Sequence, residues 1–376
     1  MTRNIINIFI IAIAATFSSC IREEALNAEC DILSAVWQND TDSLLNGDIK
    51  IINNEIVFVV KKEANFTSMP EPEIAFKLTS GARIEKDSTS RKTGGIFQYY
   101  TTHSEDGMWN KQYIAKFIKL PPLDKEHIFS FEHFELNSSK KYNIWYEINN
   151  QGIKTDIWAS GNAGFSMSGM GKTPEDFPTA PDSAGVKGCC VKLTTRDTGT
   201  FGKMMKMPIA AGNIFLGEFL MANATKKPLE ATRFGLPIAP SRPLSLRGYY
   251  KYTPGEVFTD KAKNEVPERR DTCAIYSVLY EIDPANVVTL DGSNVLSSEN
   301  IVMVAQLENP GEPAEWTEFE VPFENVNGKE FDKNKLDNGE YAITVVASSS
   351  KEGAFFEGAV GSTLYIDEMQ IIWGIK

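Results

Sequence analysis

The chain has 376 residues, 42% hydrophobic and 23% charged, with a formal net charge of -12. That length exceeds what one core usually organises, and the composition is that of a packed, water-soluble body. The acidic excess argues against a nucleic-acid partner, because phosphate binding requires a concentrated Lys/Arg surface.

Residues 1–19 read as a secretory signal: Arg3 supplies a positive start, Ile5 to Phe17 form an apolar run broken only by Asn7, and small Ser18 and Ser19 precede Cys20. The run is shorter than the ~20 residues that a membrane span needs. A cysteine directly after small residues resembles the lipoprotein signal, which is cleaved there and acylated on the thiol. The mature chain is therefore expected to begin at Cys20, held on the membrane by lipid, with residues 20–29 as a linker. An ordinary signal peptide with a chance cysteine is the alternative. IREE at 21–24 resembles the acidic export signals of some Gram-negative surface lipoproteins, which gives an outer-membrane, cell-surface expectation.

Beyond the leader, apolar and polar residues alternate between frequent turn signals, and no fifteen-residue window carries a helical stripe. An all-β protein is expected. DIKIINNEIVFVVKK, EIAFKLTSGARIE and KQYIAKFIKL are strand candidates, and Asp106-Gly107 signals a hairpin turn. Residues 30–121 thus read as a small immunoglobulin-like sandwich. Pro121-Pro122 marks the boundary, and a second domain is expected over 124–376. Strand candidates there fall at 140–149, 153–159, 187–195, 207–220, 244–253, 273–282, 299–307, 316–323, 340–347 and 362–373, enough for a two-sheet jelly roll. SGMGKTPEDFPTAPDSAG reads as a long loop, a functional rim or a mobile insert.

Cys30, Cys189, Cys190 and Cys273 form no CxxC pair, and His103, His127 and His133 are the only histidines, so no zinc spacing exists. All four cysteines are expected to fill core. Several enzyme motifs fail on inspection. Ser348-Ser349-Ser350-Lys351 matches SxxK, but Lys92-Thr93-Gly94 precedes it in another domain and no SDN triplet exists. MGKT at 170–173 has Ser166 where a phosphate loop needs glycine. GFSMSG has Ser168 where a nucleophile elbow needs glycine, and no histidine follows His133. Histidine-dependent catalysis in the large domain is accordingly expected to be excluded. Carboxylate chemistry survives, because glycosidases need only two Asp or Glu side chains ~5–9 Å apart. Glu256, Asp271, Glu281 and Asp367 are available by type, though most acidic residues are solvated surface.

The ordered set WASGNAGFSM, CVKLTT, PIAAGNIFLGEF, GLPIAPSRPLSLRGYYKYTPGE, DTCAIYSVLYE, EWTEFEVPF and YAITVVASSSKEGAFFEGAVGSTLYIDEMQIIW resembles the putative carbohydrate metabolism domain, over roughly residues 130–374. TSGARIEKDS and TTHSEDGMWNKQYIAKF resemble the Ig-like domain often placed before it. The resemblance implies a jelly roll like those of carbohydrate-binding modules, in surface lipoproteins of polysaccharide-degrading Gram-negative anaerobes. A glycan ligand follows as the expected partner, with other surface glycan-uptake proteins as possible neighbours. In such jelly rolls an acidic residue on the last strand often meets another near the domain's start around a structural calcium. Glu132 and Asp367 are the candidates here, and the alternative is that Asp367 caps a turn.

Sugar recognition requires a flat aromatic face together with amides, hydroxyls and carboxylates. Trp158, Asn162, Asn213, Tyr249, Tyr252, Ser349, Ser350 and Lys351 fit by type. The aromatics could instead fill core, since alternation puts Tyr250 and Tyr252 on one face and Tyr249 on the other. Trp145, Trp316 and Trp373, inside strand patterns, are expected in the core. KEGAFFEGAVG, between YAITVVASSS and STLYIDEMQIIW, reads as a glycine-rich turn joining the last two strands. Three classes stay open: a glycan-binding lipoprotein, a glycoside hydrolase using two carboxylates, and a structural or adhesin-like subunit offering a strand edge.

Overall fold

A strand whose side chains alternate between apolar and polar must bury one face, and two such sheets satisfy each other. In the computed structural model, which describes residues 26–374 except 47–48, 62–63, 93–94, 150–151 and 284–288, the chain does this twice. The all-β, sandwich expectation holds.

In the N-terminal sandwich Ile32–Trp37 pairs with Ile74–Leu78 and faces a five-stranded sheet. That sheet runs, in order, Lys50–Ile52, Glu55–Val59, Asn110–Ile118, Gly95–His103 and Arg83–Lys92. Ile32, Trp37, Ile56, Phe58, Ile96, Tyr100 and Phe117 form its core. Phe117 stacks on Phe58 at 4.2 Å and meets Trp37 edge-on at 5.0 Å. The turn at Asp106-Gly107 closes a hairpin in which His103 pairs with Asn110, Gly107 taking φ +69°.

The larger sandwich has one seven-stranded and one five-stranded sheet. The first is ordered Trp158–Ala159, Asn213–Phe219, Tyr341–Ser348, Ala274–Glu281, Ile301–Gln306 and Glu324–Asn325, with Thr232–Phe234 also on Asn213–Phe219. The second is ordered Thr179–Asp182, Cys190–Thr194, Thr363–Trp373, Pro243–Thr253 and Thr317–Pro322. Their inner faces share a core of Leu193, Ile214, Leu216, Leu246, Ile275, Val345, Leu364 and Ile366. Trp145 and Trp373 join it as expected. Trp316 does not: it precedes its strand and lies half-buried over the outer face of the five-stranded sheet. Among the cysteines, Cys30, Cys190 and Cys273 are buried, whereas Cys189 falls just before its strand and stays partly exposed.

The long PEDFPTAP segment contains an edge strand, Thr179–Asp182, where Pro181 is tolerated because only one side pairs. The final two long strands belong to different sheets, so residues 349–362 form a crossover between layers and not a hairpin turn. This crossover includes a 3-10 turn at Gly353–Phe355 and the short strand Gly358–Ala359 on Phe258–Thr259.

Between the sandwiches, Val57, Val59, Phe97 and Ile118 pack with Leu120 and Ile153. Beside them Lys154 Nζ lies 2.9 Å from Glu135, 3.6 Å from Glu55 and 3.8 Å from Asp156, and Lys116 pairs with Glu55 at 2.7 Å. Burial pushes the Asp156 carboxyl up to about 6 despite Lys154. The leader and Cys20 lie outside the described residues.

Candidate functional site

The serine run carries two of the expected ligand contacts. Ser349 and Ser350 are fully buried. Both hydroxyls bind Thr195 Oγ1, at 2.7 and 2.6 Å. Ser349 Oγ also accepts Gly212 N, and Ser350 donates to Asp271 Oδ2 at 2.6 Å. The same Asp271 oxygen takes Ser362 Oγ and Ala359 N, both at 2.7 Å. These groups tie the crossover to the body, and none is presented to a ligand. The expectation for Ser349 and Ser350 is corrected on that ground.

Trp158 is likewise structural. Its ring packs against Phe129 and Phe131, and Nε1 donates to Glu147 Oε1 at 2.8 Å. Asn162 is fully buried and clamps Thr179 through both amide atoms. Tyr252 sits in the core at 1% exposure, so alternation sent it inward with Tyr250. These three are not ligand contacts as the fold stands.

Three of the expected residues remain accessible, and they divide between two places. Asn213 and Lys351 line a cleft enclosing about 1230 Å³ of open space against the outer face of the seven-stranded sheet. Phe215, Tyr276 and Val346 form its floor. Its walls come from the short helices Asn162–Ser166 and Gly199–Met204 and the 3-10 turns Pro228–Ala231 and Gly353–Phe355. Asn213 is occupied in positioning, with Oδ1 accepting Gly161 N and Nδ2 donating to Ala211 O. Among the described residues no Asp or Glu lines this cleft, and Lys351 is its one charged side chain.

Tyr249 belongs to the opposite outer face, that of the five-stranded sheet. Register places Lys192, Tyr365 and Lys251 side by side on three neighbouring strands. Lys251 Nζ lies 4.5 Å from the Tyr365 ring centre and 4.9 Å from that of Trp316, and Lys192 Nζ lies 5.7 Å from Tyr365. Trp316 and Tyr365 stand edge to face at 6.4 Å. The result is a row of alternating cations and rings, all four side chains half-buried. Neither ammonium has a carboxylate within ion-pair distance among the described residues. Sequence reading missed Lys192, Lys251 and Tyr365; their signal is that each sits between two inward apolar neighbours, Val191 and Leu193, Tyr250 and Tyr252, Leu364 and Ile366.

The expected calcium pair has a different occupation. Asp367 Oδ2 accepts Val186 N at 2.7 Å and Lys187 N at 3.1 Å, Oδ1 accepts Glu368 N, and Glu132 Oε1 accepts Cys189 N at 2.9 Å. The two carboxylates therefore hold the 183–189 loop over the sheet. Gly185 and Gly188 make the approach possible: a Cβ on Gly188 would lie 2.0 Å from Glu132 Oε1. A cation there would face N–H groups, where calcium needs oxygen donors, so the residues do not fit the metal. Among the described residues no three His, Cys, Asp or Glu side chains gather as a metal group.

The other proposed acids are dispersed. Glu256 is exposed, Asp271 is bound as above, and Glu281 pairs with Lys329 and Lys335 at 2.7 and 2.6 Å. Burial opposes ionisation of Glu281, but the two ammoniums outweigh it and hold its pKa below the usual range. A smaller pocket of about 590 Å³ opens at the junction of the sandwiches, lined by Pro121, Pro122, Asp124, His127 and Glu147. His127 Nε2 is 3.2 Å from Glu147 Oε2. An imidazole is thus present in the large sandwich, and the exclusion of histidine chemistry there does not stand.

The model of the putative carbohydrate metabolism domain matches residues 130–372. The chain belongs to that family. A solved structure described as a putative glycoside hydrolase from Bacteroides thetaiotaomicron is 41% identical, covers 94% of this chain and 100% of its own, and superimposes with a TM-score of 0.79. A second, described in the same words and from Bacteroides vulgatus, is 40% identical over 65% of this chain and 97% of its own, with a TM-score of 0.60. No curated relative matches. Within this member of the family, the crossover serines, the clamped 183–189 loop and the two outer faces are the features that decide what each surface can do.

Proposed function

We propose that this protein is a lipid-anchored surface protein that binds glycan through the cation–aromatic row of Lys192, Tyr365, Lys251 and Trp316, with Tyr249 at its edge. Membership of a carbohydrate-related family supports a sugar ligand. The row itself carries the choice of face: two rings on one outer sheet face offer apolar planes to pyranose C–H surfaces, and two lysines without carboxylate partners interleave them. A cation over an exposed ring is worth only ~0.5–1 kcal/mol, so an arriving ligand can draw the ammoniums away. Glycans bearing carboxylate or sulfate groups suit this alternation best, because they engage rings and cations together.

A second reading, hydrolysis, is supported by the convergence of Asp124, His127 and Glu147 on the junction pocket and by the description of two similar structures as putative glycoside hydrolases. Titration calorimetry against acidic and neutral oligosaccharides, with parallel assay of released reducing ends, separates the two. Saturable binding without product, weakened about tenfold or more by Tyr365→Ala, supports the binding function. Released product abolished by Glu147→Gln would replace it with the hydrolase.

A further inference from the structure

The cleft over the seven-stranded sheet has the wrong chemistry for a polysaccharide. Its floor of Phe215, Tyr276 and Val346 and its walls bearing Met205, Met207 and Phe356 present carbon and sulfur. Among the described residues no carboxylate lines it. Asn213, the amide best placed to meet a sugar hydroxyl, already spends both amide atoms on backbone partners. Among the described residues Lys351 is the single charged lining side chain; it is exposed, and its main-chain N–H is fixed on Thr272 O at 2.7 Å, which anchors the side chain at its root.

We propose that this cleft is a binding site for an amphiphile with an apolar body and one anionic head, of the fatty-acid class. The apolar body displaces water from aromatic and methionine surfaces, at roughly 25 cal/mol per Å² buried. The lysine supplies the charge complement, and among the described residues no lining carboxylate repels an anion. Methionine walls adapt to an irregular or flexible chain, since the thioether side chain has three rotatable bonds. The site lies on the opposite sheet from the cation–aromatic row, so it stands or falls independently of glycan binding.

The probes are sodium laurate and uncharged 1-dodecanol, each titrated calorimetrically below its aggregation concentration into the purified protein. Saturable one-to-one binding of laurate is expected, about tenfold or more tighter than dodecanol. Lys351→Glu should erase that preference, because the charge reverses while the main-chain bond to Thr272 is kept. Ser168→Trp, at a partly exposed lining position, should block both probes while the melting temperature and oligosaccharide binding stay at wild-type values. Two outcomes overturn the proposal: linear, non-saturable uptake, or equal affinity for laurate and dodecanol that Lys351→Glu leaves unchanged. Tyr365→Ala serves as the internal control, since it touches the other face and must leave laurate binding intact.

Discussion

Ser350 donates its hydroxyl to Asp271 Oδ2 at 2.6 Å across a sequence separation of 79 residues, in a site with no solvent access to the serine. One carboxylate oxygen there collects three donors, and the acid that could have served as a catalytic carboxylate is a structural knot instead. Asp271→Ala leaves two buried hydroxyls and a buried amide without their acceptor, so a loss of about 3–5 kcal/mol is expected. Asp271→Asn keeps the shape and one acceptor oxygen and should lose less. Chemical denaturation of the two variants checks the order; equal stability of Asp271→Ala and wild type would remove the knot from the account.

Gly188 has φ +68°, and a methyl group there would collide with Glu132 Oε1. Gly188→Ala is expected to destabilise by about 1–3 kcal/mol, combining left-handed strain with the clash. Adding Glu132→Ala should recover only part of this, since the strain remains and Cys189 N loses its acceptor. Thermal melts of the single and double variants test the split, and complete recovery would mean that the backbone angle contributes nothing.

The Asp156 carboxyl is pushed up by burial from the ordinary 3.8 to about 6. The sign follows from proton counting: between pH 4 and 6 the folded chain holds a proton on Asp156 that the unfolded chain has released, so this group's contribution to stability falls as pH rises through that window. Asp156→Asn should therefore raise the melting temperature more at pH 7.5 than at pH 4.5. A stability difference between variant and wild type that is flat with pH would contradict the assignment.

Because Glu132 and Asp367 are engaged by main-chain N–H groups, neither calcium nor a chelator should move the melting temperature. A rise of more than about 3 °C in millimolar calcium would point to a site of different geometry from the one described.

Lys192→Gln and Lys251→Gln test the charge in the proposed glycan face. Each should weaken an acidic oligosaccharide several-fold and flatten the dependence of its affinity on salt, while a neutral oligosaccharide is little affected. Equal loss for both ligands would assign the lysines to packing.

Much of this architecture is legible because strands write their period directly into sequence. Every strand candidate from residue 140 onward contains a strand, since alternation such as Tyr250 and Tyr252 against Tyr249 and Lys251 survives any tertiary arrangement. What is lost is whatever depends on one side of pairing or on distance along the chain. Thr179–Asp182 hides behind Pro181, which an edge permits. Ser349 and Ser350 are polar by type and look available, but the acceptor that buries them is Asp271, far away in sequence. Trp158 fails for the same reason, as its indole N–H finds Glu147 inside the body. The cation–aromatic row escaped because it is assembled across strands by register, with no two members adjacent in sequence. Asn213 and Lys351 were found by type, but their shared cleft is apolar, and that is a property of its walls and not of either residue.

Lys154 lies against acids of both sandwiches at a seam also packed by Ile153 and Leu120. On the function proposed above, the protein is tethered at one end and grips a polymer at the other, and it is pulled whenever the polymer drifts. Because the two bodies are riveted at this seam by salt links and apolar packing, the pull is carried as shear into the sheet Glu55–Val59 and Asn110–Ile118, and is not absorbed by a swivel. The larger sandwich is thus held at a set angle to the smaller one across Lys154, Ile153 and Leu120.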